Sequence, residues 1–157
     1  MNPKLLKPLE TALGSMLKNA GFKKKSRNWW NTREETILCV QLQLSRWGGD
    51  EFYINLGVYI KCLGDLTVTS APQCHIRHRV QADTFRNLTP DEFHFKDKTD
   101  GGILRQSKQV AELLRETGLP WLKALSTESE IKRMCKLDPP TIPGGWARDQ
   151  AIRWART

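Results

Sequence analysis

The chain has 157 residues, 39% hydrophobic and 27% charged, a balance that fits one globular domain and excludes wholesale disorder. No apolar run approaches the ~18–20 residues of a membrane-spanning helix, so we expect no membrane partner. Half of the net charge of +8 lies in one short stretch, Lys23, Lys24, Lys25 and Arg27, which predicts an acidic partner, either a protein or a nucleic acid.

The first predicted element is an amphipathic helix over residues 4–20, because leucines recur there at helical spacing. Asn2 and Pro3 are typical of a helix start, and Gly21 of a helix end. Pro8 fits best in a first turn, which favours a start near Lys7.

Strands follow the helix. We predict one over residues 22–30, a turn at Asn31-Thr32-Arg33, and two clearly alternating strands over 35–46 and 51–62. Gly48-Gly49-Asp50 is a hairpin signal between these two strands. A fourth strand is expected over 73–80, with Cys74, Ile76, His78 and Val80 facing the core.

Helices are predicted for the rest of the chain. The polar stretch 81–102 contains a capping-box pattern at Thr89-Pro90-Asp91-Glu92. A helix over 103–117 should end at Gly118, with a short helix over 120–125 and another opened by the capping box Thr127–Glu130.

These elements predict an α+β fold: an N-terminal helix, an antiparallel meander of three to four strands, then C-terminal helices. We assign residues 1–137 to a single domain. Residues 138–157 are expected to form a Pro/Gly linker and a short basic tail.

The cysteines and the N-terminus indicate a cytoplasmic protein. Cys39, Cys62, Cys74 and Cys135 form no Cys-x-x-Cys pair and are typical of buried free thiols, although their even number leaves one disulfide open. A proline and an acidic residue within the first ten positions disfavour a secretory signal.

The outward face of the central hairpin is the first candidate binding surface. Gly57 in its middle favours close approach of another chain. Tyrosine, arginine and amide side chains on a rigid sheet are typical of protein interfaces. The candidate residues are Gln41, Gln43, Tyr53, Asn55, Tyr59, Arg77 and Arg79. The alternative, that C-terminal helices or the tail cover this face, stays open.

Two further segments are candidates for binding. The tail carries Trp146, Arg153 and Trp154, residue types common at interface hot spots, and allows a homodimer; packing back onto its own domain is the alternative. Residues 23–30 mix cations with aromatic rings, as nucleic-acid binders do. The anion- or nucleic-acid-binding candidates there are Lys23, Lys24, Lys25, Arg27 and Trp29, with Trp30 as a second stacking candidate.

No catalytic motif is present, and we expect no cofactor and no enzyme activity. A hydrolase would need the loop residues Asp91, Glu92, His94, Asp97 and Asp100 to converge. A zinc site at Cys62, Cys74, His75 and His78 is disfavoured, because residues three apart on a strand point to opposite faces.

Several motifs resemble a family. Phe22-Lys23-Lys24-Lys25, the stretch 41–47 (QLQLSRW), the stretch 52–59 (FYINLGVY), Cys74–Val80 and Leu119-Pro120-Trp121-Leu122 are similar to the motifs of a bacterial domain of unknown function, family number 4304. The resemblance covers roughly residues 4–135. It implies an α+β fold and supplies no catalytic residue. By analogy with small bacterial domains of this size, we expect an immunity or antitoxin-like protein that binds an acidic protein.

Overall fold

An N-terminal helix, an antiparallel sheet and C-terminal helices follow one another along the chain, which confirms the predicted α+β fold. The computed structural model describes residues 2–46, 49–67, 69–80, 93–137 and 146–157, except for the side chains of 137 and 146–148. Within these ranges the sheet has five strands, arranged in chain order as a meander.

Helix α1 spans Pro3–Asn19 and buries a leucine at every fourth position from Leu5 to Leu17. It starts before Lys7, because the Asn2 side chain caps it by accepting from the Lys4 N–H at 2.9 Å. Pro8 therefore lies inside the helix. Gly21, at φ +87°, ends the helix with the two hydrogen bonds of a Schellman motif.

The sheet consists of β1 Lys23–Lys25, β2 Asn28–Thr32, β3 Thr36–Leu44, β4 Phe52–Ile60 and β5 Ile76–Val80. The single strand predicted over 22–30 is two strands, because the chain reverses at Ser26, which has a φ of 55°. The turn predicted to begin at Asn31 was also wrong. Asn31 and Thr32 pair with β3, and this pairing extends the second strand past the expected turn.

The hairpin of β3 and β4 forms the centre of the sheet, with nine residue pairs from Thr36↔Ile60 to Leu44↔Phe52. Gly48 of the predicted turn lies outside the described residues. The alternating apolar positions that were expected to face the core do so, from Leu38 on β3 to Ile60 on β4.

The remaining helices are α2 Asp100–Leu113, α3 Leu119–Ala124, α4 Glu128–Leu137 and α5 Trp146–Ala155. A π-helical turn, Leu114–Gly118, joins α2 to α3, so the predicted helix end at Gly118 was wrong. Gly118 keeps a helical φ of −69° and lacks a side chain for a packing reason. A Cβ there would lie 2.3 Å from Leu114 Cδ1.

The helices and the inner sheet face share one hydrophobic core. Leucines of α1, apolar residues of α2 to α4, and Ala151 and Ala155 of α5 all belong to it. Helix α5 packs against α4 and β5. The helix of the predicted tail thus contributes to the domain core, while the predicted linker 138–145 and Thr89–Glu92 lie outside the described residues.

Candidate functional site

The outer face of the sheet, opposite the helices, is divided into a covered half and an open half. Residues 69–75, here called the cap segment, contain a short 3₁₀ turn and lie over the covered half. Ile37, Cys39 and Tyr59 are buried beneath or beside the cap segment, with Trp30 at the border. Among the described residues, it is this stretch of the chain that covers the half.

Two expectations for the outer face need correction. Tyr59 is only 4% exposed, because it packs in the small cluster under the cap segment, and its ring is not available to a partner. Gly57 does allow close approach, but of its own chain. A Cβ at that position would lie 2.6 Å from Cys74 Sγ and 3.0 Å from Ala71 Cα.

A buried histidine fastens the cap segment to β4. Nδ1 of His75 accepts the Ile60 N–H at 3.0 Å, and the imidazole lies 4.6 Å from the Tyr59 ring. This bond needs the unprotonated Nδ1, and burial lowers the pKa of His75 below its usual value. The neutral imidazole is therefore part of the folded structure.

Two thiols complete the contact. The Cys39 thiol donates to the Thr69 carbonyl and the Cys74 thiol to the Ser70 carbonyl, each at 3.5 Å. Hydrogen bonding to Cys74, together with burial, raises the pKa of Cys39 far above its ordinary value. Cys74 was expected to face the core and does not, because β5 begins only at Ile76. All four cysteines are free.

The open half carries a row of polar side chains across four neighbouring strands, here called the polar row. Sheet register places Asn28 beside Gln41, Gln41 beside Asn55, and Asn55 beside Arg79. Asn55 Nδ2 donates to Gln41 Oε1 at 3.1 Å and to Gln43 Oε1 at 2.8 Å. The amides are thus linked to one another before any partner binds.

Arg79 joins this network and is held from three sides. Its Nε donates to Asn55 Oδ1 at 3.1 Å and its Nη2 to Gln43 Oε1 at 3.3 Å. The guanidinium carbon lies 4.5 Å from the centre of the Tyr53 ring, a cation–π contact. The structure therefore brings together five of the residues singled out on the hairpin and β5: Gln41, Gln43, Tyr53, Asn55 and Arg79.

Between the polar row and the cap segment lies a groove of about 340 Å³, here called the sheet groove. Gln43, Asn55 and Arg79 line one side, and Ala71, Pro72 and Arg77 the other. Arg77 donates through Nη1 to the Pro72 carbonyl at 3.3 Å, while its Nε is buried and has no acceptor among the described residues. Both arginines therefore present N–H groups around one concavity.

Two guanidinium groups line the sheet groove. Neither Arg77 nor Arg79 forms an ion pair with a carboxylate in the described part of the chain. Among the described residues, the hydrogen-bond acceptors of both guanidinium groups are neutral amide and carbonyl oxygens. Guanidinium groups bind carboxylates and phosphates through paired N–H donors, so an anionic group fits this groove chemically.

The basic strand is only partly as expected. Lys23, Lys24 and Lys25 are exposed on the edge strand β1 and Arg27 is half-buried. Trp29 is 1% exposed and belongs to the core, because register with Val40 turns its ring inward. It cannot serve as a stacking platform for a base, which corrects that assignment.

The tail residues pack back onto the domain. The half-buried Trp154 contacts the core, and Lys132 Nζ of α4 lies 4.7 Å from the centre of its ring. Arg153 is exposed. The side chain of Trp146 lies outside the described residues.

The acidic loop residues do not converge where the structure describes them. His94 lies 3.8 Å from Glu51, Asp97 lies 3.4 Å from Arg105, and Asp100 lies 2.8 Å from Lys4. Asp91 and Glu92 are outside the described residues. Among the residues described, no group of three His, Cys, Asp or Glu side chains has the geometry of a metal site.

Sequence reasoning missed part of the groove. Ala71 and Pro72 form a wall of it, but no periodic pattern marks a short 3₁₀ turn that folds over a sheet. Asn28 was overlooked as the end of the polar row. The register of β2 could have been recognised only with the turn at Ser26 in place.

The described helices include none that is long and apolar enough to cross a membrane. In comparisons with known proteins, no curated protein and no solved structure matches the chain. A family model does match, over residues 13–124, and its description is Domain of unknown function (DUF4304). The matched stretch includes the whole sheet, the cap segment and the sheet groove. The chain belongs to the DUF4304 family.

Proposed function

We propose that this chain is a non-enzymatic binding protein that recognises an acidic segment of another protein through the open half of its outer sheet face. The observation that carries the proposal is the sheet groove, in which Arg77 and Arg79 lie beside the polar row without a carboxylate partner among the described residues. An immunity or antitoxin-like protein would use such a surface to hold its partner.

The rigidity of the groove favours binding. Arg79 is positioned by Asn55, Gln43 and Tyr53 before a partner arrives, so little side-chain freedom remains to be lost on association. Gln43, Tyr53 and Asn55 of this network lie on the central strands β3 and β4, which pair along their full length. A surface held in this way suits selective recognition of one partner.

The chemistry of the groove favours a carboxylate. Arg77 Nε is a buried donor without an acceptor among the described residues, and a partner carboxylate would satisfy it. Tyr53 and Pro72 add apolar surface beside the charges, as protein interfaces commonly do. Nucleic-acid binding is the competing possibility, but the burial of Trp29 removes one of its two stacking candidates and leaves only the half-buried Trp30.

Affinity capture from nuclease-treated cell lysate tests the proposal, with the double variant Arg77→Gln/Arg79→Gln compared against the unsubstituted chain. We expect an acidic protein to be retained and its recovery to fall about tenfold or more in the variant, since charge-assisted hydrogen bonds contribute ~1.5–3 kcal/mol each. Quantitative mass spectrometry of the eluates provides the measurement.

The matched control is Lys136→Gln/Arg156→Gln, which removes the same charge from exposed positions on the helical side. Equal loss of recovery in both variants would reduce the effect to net charge and contradict the proposal. Retention of nucleic acid when nuclease is omitted, with no retained protein, would favour the competing function instead.

A further inference from the structure

On the other side of the sheet, α1 and the edge strand β1 enclose a second groove of about 550 Å³, here called the edge groove. Its walls include Glu10, Gly14 and Lys18 of α1, Lys23 and Lys24 of β1, and Trp29. We propose that the edge groove binds a small organic oxyanion, whose oxygen accepts a hydrogen bond from the Trp29 indole N–H.

The edge groove is lined by a residue with an unused hydrogen-bond donor. Trp29 is 1% exposed, and its Nε1 has no hydrogen-bond acceptor in the part of the chain that is described. Buried donors are normally satisfied, because leaving one without an acceptor costs its full desolvation. An acceptor supplied by a ligand would remove that cost.

Gly14 of α1 lies close to this donor. Gly14 lies in the interior of α1, where glycine is less favourable than any residue except proline. A Cβ at Gly14 would lie 3.9 Å from Trp29 Nε1, with no other atom from a neighbouring element within 4 Å. Glycine at this position therefore leaves space for a side-chain-sized group at ordinary contact distance from the indole nitrogen.

Lysine side chains give the edge groove positive charge. Lys24 is paired with Glu10 at 3.7 Å and also lies 5.1 Å from the centre of the Trp29 ring. Lys18 and Lys23 form no ion pair with any described carboxylate. After internal pairing the groove thus keeps two positive charges, which favour an anionic ligand.

The shape of the groove limits the ligand to a small molecule. Its volume lies within the ~300–1,000 Å³ of typical ligand sites. Phe22 and Trp29 supply an apolar wall that suits an aryl or acyl body. A phosphate ester and a carboxylate share the required oxyanion, and the experiment separates them.

Nuclear magnetic resonance of the full chain labelled with ¹⁵N tests the proposal through the indole N–H signals. The Trp29 signal is assigned by its loss in Trp29→Phe. Benzoate and phenyl phosphate are the probes, and benzyl alcohol is the uncharged control. We expect a saturable downfield shift of the Trp29 signal with at least one of the two anions and none with the alcohol.

Three variants test where on the protein the ligand that shifts the Trp29 signal binds. Lys18→Gln/Lys23→Gln should weaken the response about tenfold by removing both free charges. Gly14→Leu should abolish it by filling the space beside Nε1, and should not lower thermal stability because leucine is the better helix former. Arg77→Gln/Arg79→Gln should leave it unchanged, which separates this site from the sheet groove.

A response to phenyl phosphate alone assigns a phosphate ester, and a response to benzoate alone assigns a carboxylate; both outcomes support the proposal. The absence of a Trp29 shift with either anion at about 10 mM, where a site of ~1 mM Kd would be mostly occupied, would overturn it. A shift that persists unchanged in Gly14→Leu would overturn it as well.

Discussion

Single residues on the outer face determine what the sheet can offer a partner. Gly57 and His75 together bring the cap segment onto β4, one by leaving room and the other by a buried hydrogen bond. The same contact buries Tyr59 and places Pro72 as a wall of the sheet groove. The sheet groove therefore depends on two residues whose side chains are not among those proposed to contact the partner.

Gly57→Ala should reduce the free energy of unfolding by about 1–3 kcal/mol, because the added methyl group would overlap Cys74 and Ala71 in a packed contact. Urea denaturation measures this change. Gly101→Ala is the matched control. It places the same methyl group in open space at the start of α2 and should be neutral or slightly stabilising. Equal effects of both substitutions would show that the close contact at Gly57 is absent.

Stability should fall with pH below about 6.5. Burial lowers the pKa of His75 and of His78 in the folded state, whereas both titrate near 6.5 in the unfolded chain. As the pH falls below 6.5, the unfolded chain takes up protons that the folded protein does not. The free energy of unfolding then falls by at most about 1.4 kcal/mol per pH unit per histidine.

His75→Asn should remove the part of this pH dependence that His75 contributes, since the Asn amide oxygen can accept the Ile60 N–H without titrating. Urea denaturation at pH 7 and pH 5 measures the difference. A slope as steep in His75→Asn as in the unsubstituted chain would contradict the buried neutral imidazole.

At the scale of elements, local patterns in the sequence were sufficient for the hairpin of β3 and β4 and for α1. Apolar residues alternate along the hairpin strands from Leu38 onward, and leucines recur at every fourth position in α1. Each of these patterns can be read from the sequence of a single element. The cap segment could not be predicted in this way. Thr69 contacts Cys39 across 30 residues of sequence, and such tertiary contacts leave no periodic signal.

The same limit explains the candidate site. The alternation predicted correctly that Gln41, Gln43, Tyr53 and Asn55 share a face, because side-chain direction follows strand periodicity. It assigned Tyr59 to the same open surface, although the cap segment covers that end of the strand. Periodicity determines the face of a side chain but not what packs on that face.

Helix α5 provides a test at the element scale. Ala151 is fully buried against the core, so Ala151→Glu should lower stability by several kcal/mol or undock the helix. Arg153→Glu introduces the same side chain at an exposed position two residues away and should change stability by less than ~0.5 kcal/mol. Thermal denaturation compares them. If the two variants melt together, α5 is a free tail and not part of the core.

At the scale of the whole molecule, the fold separates its tasks by face. The helices and the inner sheet face form the core, while the open half of the outer face carries a preorganised, positively charged groove. The basic edge strand β1 lies apart from that groove, at the opposite edge of the sheet from β5. The net charge of +8 therefore includes two separate groups of positive side chains, one at the sheet groove and one along β1.

Site-specific photo-crosslinking in cells tests whether the open half of the outer sheet face binds an acidic protein. A photoreactive phenylalanine analogue at Tyr53, beside Arg79, is compared with the same analogue at Leu104, an exposed position on α2. We expect a covalent adduct with an acidic protein from position 53, none from position 104, and loss of the adduct when Arg77 and Arg79 are replaced by Gln. An adduct from position 104 with none from position 53 would contradict it.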